Sequence, residues 1–231
     1  MKTVGIIGGV GPESTIEYYR LIIAAYREQH PGGSYPSIII NSVDLNRLIA
    51  WVTANELETL AAYLVAEIER LHRAGADFGL LASNTPHIVF DEISRHSPMP
   101  LISIVEAARD ETKARGLRRV GLFGTRFTMQ GRFYPDTFSR AGIAIVTPSE
   151  EEQSYIHEKY MNELLNNIFL PETRAHLLTI VDRMKTGDQI EAIILGGTEL
   201  PLILRDTEHN GIPFLDTTRI HVRQIVAELL S

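Results

Sequence analysis

The chain has no cysteine. That excludes disulfides, thiolate metal ligands and a thiol nucleophile, and it is compatible with a reducing compartment. Long apolar runs are also missing: none approaches the roughly 20 residues needed to span a bilayer. The amino terminus enters an apolar strand-like segment almost at once and shows no leader pattern. These features lead us to expect a cytoplasmic protein without membrane attachment. Basic residues are in the minority, 22 against 29 acidic ones, for a net charge of −7. Such a balance disfavours nucleic acid and anionic surfaces as partners. His, Asp and Glu do not cluster at metal-ligand spacing, so we expect no metal. The segment Gly9–Ser14 reads Gly-x-Gly-x-x-Ser, which lacks the third glycine of a dinucleotide loop. The next strand also lacks the acidic ribose ligand. No cofactor is expected.

What the chain does have is apolar strand-like runs that end in small polar residues. With 231 residues, 44% of them hydrophobic, it can form one large domain or two of about 115 residues. Phe78–Ala82 reads as a buried parallel strand and breaks abruptly into Ser83, Asn84 and Thr85. Pro86 then starts a helix, where its missing N–H is harmless. A polar group at the carboxyl end of a strand and the amino end of a helix sits where open α/β sheets bind ligands and where unpaired N–H groups attract anions. Ala192–Leu195 repeats the pattern and leads into Gly196, Gly197, Thr198 and Glu199. Val4–Ile7 leads into Gly8–Pro12, with Val10 in the turn. Ser37–Ile40 leads into Asn41–Asp44, with Arg47 in the loop beyond. Val120–Phe123 leads into Gly124, Thr125, Arg126, Phe127 and Thr128.

Helical spacing is expected between these runs: over Glu13–Glu28, after an apparent capping box of Thr53 and Glu56, over Met129–Ala141, over Glu150–Ile168 and over Asp216–Leu230. The helix after Glu56 carries the stripe Leu57, Leu60, Leu64, Ile68 and Leu71. A repeat runs through this order. Val4–Gly8 matches Val120–Gly124 at an offset of 116, Ser83–Thr85 matches Gly197–Glu199 at 114, and Met99–Leu101 matches Ile212–Phe214 at 113. Three matches at nearly one offset predict a duplicated α/β unit. The expected domains are residues 1–100 with 213–231, and residues 101–212. The two halves would face each other with their polar strand ends lining one cleft.

The hydroxyls of Thr85, Thr125, Thr128 and Thr198, the amide of Asn84 and backbone N–H groups at helix starts can hold a carboxylate. The same residue types also serve as helix caps and turn formers. Two facing loops suit proton removal and delivery on opposite faces of one carbon, yet Ser83 is a weak base and Gly197 has no side chain. His87, with an ordinary pKa of about 6.5, and Glu199, if burial raises its basicity, are the remaining proton carriers.

Taken in order, VGIIGGVGPEST at 4–15, SNTPH at 83–87, GTRFTM at 124–129 and LGGTEL at 195–200 make the chain resemble the aspartate/glutamate racemase family over nearly its whole length. These are the cofactor-independent amino-acid racemases. The resemblance implies two pseudo-symmetric three-layer α/β domains with mostly parallel sheets, an active site between them and a homodimer. Members of that family usually read Cys-Asn-Thr where this chain has Ser83-Asn84-Thr85, and Gly-Cys-Thr where it has Gly196-Gly197-Thr198. Their two cysteines work on opposite faces of the α-carbon. Asn84, Thr85 and Thr198 match residues that fix the substrate, and Val10 lies in a loop that approaches it. The region in which some members place a basic clamp for the distal carboxylate is apolar here, at Leu164 and Leu165, so Arg47 or Arg126 would have to compensate. The resemblance thus implies a small-molecule partner, namely aspartate, glutamate or a related dicarboxylate, and a PLP-independent isomerase activity. The alternatives are a catalytically silent amino-acid-binding homologue and a divergent carbon-acid lyase or decarboxylase.

Overall fold

A computed structural model describes residues 2–231. The first half of the chain forms β1 (Thr3–Gly8), α1 (Pro12–Gln29), β2 (Ser37–Ser42), α2 (Leu45–Thr53), α3 (Leu57–Arg73) and β3 (Phe78–Leu81). A 3₁₀ turn (Thr85–Val89), α4 (Phe90–His96), β4 (Leu101–Ile102) and α5 (Ile104–Ala114) follow. The second half forms β5 (Arg119–Gly124), α6 (Arg126–Gln130), α7 (Phe133–Ser139), β6 (Ala144–Val146), α8 (Glu150–Asn162) and α9 (Pro171–Gly187). It continues through β7 (Ala192–Gly196), α10 (Leu200–Ile203), β8 (Glu208–His209), β9 (Ile212–Asp216) and α11 (Thr217–Leu230). Two compact units result. One runs up to Ile104 and resumes at Thr218–Ser231; the other is Val105–Thr217.

The sheet of the first unit has the order β2-β1-β3-β4 with all pairs parallel. That of the second has the order β6-β5-β7-β9-β8, in which only β8 is antiparallel to its neighbour. Setting β8 aside, both sheets follow one winding: the second strand lies on one side of the first, and the third and fourth lie on the other. Val4 pairs with Phe78 in one sheet and Val120 with Ala192 in the other, at the offsets of the sequence repeat. In a parallel sheet wound this way, the order reverses between the first and third strands. The carboxyl ends of those strands therefore splay their connections apart and leave a crevice for ligands. The four segments so exposed follow β1 and β3 in one unit and β5 and β7 in the other. They contain most of the polar strand ends singled out above.

In the first unit, Val4, Ile6, Phe78 and Leu80 pack on one face against Tyr18, Ile22 and Tyr26 of α1 and Val222, Ile225, Val226 and Leu229 of α11. The other face takes α3, whose Leu60, Leu64, Ile68 and Leu71 are buried. The Thr53–Glu56 capping box does not form. Thr53 closes α2, Asn55 turns left-handed with φ 57°, and Glu56 precedes α3 with no side-chain cap. The helix stands without it because four buried aliphatic residues, each contributing roughly 1.5–3 kcal/mol, outweigh a cap of about 1 kcal/mol. Arg47 lies inside α2 rather than in a loop, because the Asp44 carboxylate accepts from the Asn46 N–H at 2.9 Å and starts a helix there.

In the second unit, Phe123, Ile193 and Leu195 pack with Ile156 and Tyr160 of α8 and with Leu177, Ile180, Val181 and Met184 of α9. A capping box does form at Ser149 and Glu152, which opens α8. The expected helix 150–168 ends at Asn162, after which Asn167 turns left-handed with φ 59°. The expected helix 129–141 is two short helices separated at Gly131. Among the described residues, no helix is long and apolar enough to cross a membrane.

Candidate active site

In the first unit the ends of β1, β2 and β3 are tied together by backbone bonds. The Val43 N–H donates to the Gly8 carbonyl at 2.9 Å, and the Ala82 N–H donates to that of Ile7 at 2.9 Å. Ser14 on α1 donates its hydroxyl to the Ala82 carbonyl at 2.8 Å, and the Gly9 N–H donates to the Thr15 hydroxyl at 2.8 Å. Gly9 has φ 81°, and a Cβ there would meet the Val43 backbone nitrogen at 2.8 Å. Only glycine fits that conformation and that approach. Val10, just past the end of β1, and Ser83 and Asn84, just past the end of β3, are all buried, and Thr85 is half-buried.

His87 is buried, with Nδ1 3.0 Å from the Ser83 carbonyl and its ring stacked on Phe90 at 4.7 Å. A carbonyl only accepts, so Nδ1 carries the hydrogen and Nε2 holds a lone pair. Nε2 is buried without a hydrogen-bond partner among the described residues. Burial, assisted by the nearby His221, lowers the pKa of His87 to about 3. At neutral pH the ring has no proton to give, and its N–H is committed to shaping the 83–87 turn. Arg47 is different. Its exposed guanidinium lies 4.8 Å from the Trp51 ring centroid and 4.9 Å from that of Tyr63. No carboxylate of the described residues lies within 4 Å of it. Stacking on two rings holds the planar group while leaving its edge N–H groups able to grip an anion.

In the second unit Thr125 caps α6. Its hydroxyl accepts from the Thr128 N–H at 3.3 Å and lies 3.2 Å from the Thr128 hydroxyl. Both threonines are buried, and Thr128 also packs against the paired glycines of the two strand ends. A Cβ on Gly124 would meet the Gly196 carbonyl at 2.7 Å and Thr128 Cβ at 2.9 Å. The side chain of Arg126 is exposed, while its backbone N–H donates to His157 Nδ1 at 3.3 Å. Burial, with a smaller contribution from the Arg126 charge, holds the His157 pKa below its ordinary value.

Glu199 is buried, and its Oε2 accepts from the Tyr160 hydroxyl and, at 3.0 Å, from the Thr198 hydroxyl. Burial and the adjacent Glu199 charge push the Tyr160 hydroxyl well above its usual pKa. Gly197 lies against the edge of the Tyr160 ring, whose Cε2 would stand 2.4 Å from a Cβ there. A Cβ on residue 197 would meet Tyr160 Oη at 2.9 Å and Cζ at 3.0 Å. Sequence reasoning found Glu199 and Gly197 but missed Tyr160 and His157, one helical turn apart on α8. Their partners lie 39 and 31 positions away, and Tyr160 reads only as part of the apolar stripe Ile156, Tyr160 and Leu164.

The structure thus places Val10, Ser83, Asn84 and Thr85 at the switch point of one sheet, with Arg47 beyond its neighbouring strand. Thr125, Thr128, Gly197, Thr198 and Glu199 occupy the switch point of the other. The family model for Asp/Glu/Hydantoin racemase matches residues 7–225. The broad specificity amino-acid racemase RacX of Bacillus subtilis (strain 168) is 25% identical, the match spanning 99% of this chain and 98% of that protein. The crystal structure of an aspartate racemase homologue from Pyrococcus horikoshii OT3 superposes with a TM-score of 0.84 at 32% identity, covering 100% of both chains. An aspartate racemase from Picrophilus torridus shares the fold at a TM-score of 0.75 and 21% identity, over 99% of this chain and 94% of that one. The duplicated winding, the polar strand ends and these likenesses converge: the chain belongs to the Asp/Glu/hydantoin racemase family.

Proposed function

We propose that the protein binds aspartate, glutamate or a related small dicarboxylate through the two sets of strand-end residues and moves the proton on its α-carbon. The observation that carries this reading is the recurrence of one arrangement, a turn of buried hydroxyl and amide donors at the sheet's switch point, in both units. Ser83, Asn84 and Thr85, with the Val10 turn, and Thr125, Thr128 and Thr198 supply the donors. Neutral donors of this kind hold a carboxylate without a basic surface. Arg47 takes the distal carboxylate, and Glu199 is the ionisable group nearest the chemistry. Ser83 occupies one of the two positions at which members of the family usually carry a cysteine. No cofactor or metal is invoked. Neutral His87 and side-chain-free Gly197 favour a second reading, ligand binding without turnover.

Calorimetric titration with both enantiomers of aspartate and glutamate tests the binding claim. Saturable binding of at least one is expected. Replacing Arg47→Gln removes a charged hydrogen bond worth about 1.5–3 kcal/mol, so dicarboxylate affinity should fall about 10- to 100-fold while alanine binding stays as it was. Equal affinities for the dicarboxylate before and after the change would remove Arg47 from the site. Failure of all four amino acids to bind would remove the reading itself.

A further inference from the structure

Position 197 has no side chain, yet the space a side chain would enter is occupied. The Tyr160 ring edge fills it: where Cβ of residue 197 would stand, Cε2 lies 2.4 Å away and the hydroxyl oxygen 2.9 Å. That hydroxyl donates to Glu199 Oε2, on the second residue after Gly197, and Thr198 donates to the same oxygen. The ring is fixed in the core with Ile156, Leu164 and Leu177. A buried phenol needs only a neutral acceptor such as a backbone carbonyl. The acceptor here is instead a carboxylate exposed by only 1%. A phenol standing in the place of a missing side chain and hydrogen-bonded to a carboxylate makes a proton-transfer unit beside residue 197.

Resting on the reading of the strand ends as a site for an α-amino acid, we propose that Tyr160 and Glu199 are the acid–base pair on the Gly197 side of the substrate. The α C–H bond breaks and its electron pair enters the substrate carboxylate as an enediolate. The α-proton passes to Tyr160 Oη as the phenolic proton passes to Glu199 Oε2. The reverse transfer restores the C–H bond. Glu199 is the net base, and Tyr160 is neutral at both ends of the step, in keeping with a hydroxyl held above its usual pKa. One competent face exchanges the α-hydrogen of one enantiomer faster than that of its mirror image.

The test is proton NMR of D- and L-aspartate and D- and L-glutamate incubated with the full chain in heavy water. One enantiomer should lose its α-proton signal well ahead of the other. Tyr160→Phe keeps the ring and removes only the hydroxyl. It should slow that exchange by about 100-fold or more with the dissociation constant within about threefold, a split that a merely structural tyrosine does not produce. Glu199→Gln should do the same and carries the test if the phenylalanine variant folds poorly. Exchange at the wild-type rate in either folded variant overturns the proposal, as does wild-type binding with no exchange in any of the four. Absence of binding in the wild type overturns the underlying reading instead.

Discussion

Between pH 7 and pH 5 the protein should lose about 4 kcal/mol of stability, a large share of the roughly 5–15 kcal/mol that holds an ordinary domain together. The cause is a pair of buried imidazoles in the first unit. Burial lowers the pKa of His87 to about 3 and that of His221 to about 4. His221 accepts from the Tyr18 hydroxyl at Nδ1, 2.8 Å away, and Nε2 donates to the Ile102 carbonyl at 2.9 Å, so its neutral form is fully engaged. Both folded values lie below the unfolded one, so below pH 6.5 the unfolded chain takes up protons that the folded chain refuses. Stability is complete above that pH and falls as pH drops toward 4 and then 3, by up to about 1.4 kcal/mol per pH unit for each ring. Carboxylates held below their usual range, such as Glu191, which accepts from two backbone N–H groups, come into play only at lower pH. Urea unfolding at pH 7 and pH 5 measures the effect. His221→Gln should reduce the slope by about one proton even though it lowers stability at pH 7. A stability that is flat across this window would mean that the two rings are not buried as neutral groups.

Gly197→Cys should destabilise the protein by about 1–3 kcal/mol, because its Cβ enters the Tyr160 ring and overpacks a filled core. Tyr160→Ala alone should cost about 3–5 kcal/mol, the usual range for truncating a buried aromatic side chain. Combined, the two changes should cost about 1–2 kcal/mol less than their sum, since each supplies the room or the volume the other lacks and contacting residues couple by that order. Urea titration of the four proteins at one pH closes the cycle. Strict additivity would show that Tyr160 does not fill the space over residue 197. The same geometry bears on placing thiols at both loops. Ser83→Cys changes one atom at a strand end, whereas a thiol at 197 has no room until Tyr160 is shortened.

The repeat was legible in the sequence because strand-to-turn transitions leave a local signature: an apolar run, then small polar residues, then a helix start. Val4–Gly8 and Val120–Gly124 begin equivalent central strands, and Phe78 and Ala192 pair with them in register. From that the α/β class and the parallel sheets followed. Long-range polar pairing left no such signature. Tyr160 is one more large residue on an amphipathic helix until Glu199 is folded against it. Arg47 reads as a loop residue unless Asp44 is recognised as the cap that begins a helix at Leu45. The Asn210-Gly211 turn, with φ 48° and 76°, joins β8 to β9. Its Asn-Gly pair is a hairpin signal visible in the sequence, obscured because β8 spans only two residues. His87 read as a proton carrier because its ordinary pKa suits that work; only its burial against the Ser83 carbonyl reveals a ring held neutral.

The decisive measurement is the fate of the α-hydrogen of a bound acidic amino acid, followed by proton NMR in heavy water at saturating ligand with wild-type protein. The account predicts that the α-proton resonance of aspartate or glutamate fades with time in proportion to protein concentration. A ligand that saturates the protein yet keeps its α-hydrogen through prolonged incubation would contradict it and leave a binding protein in its place.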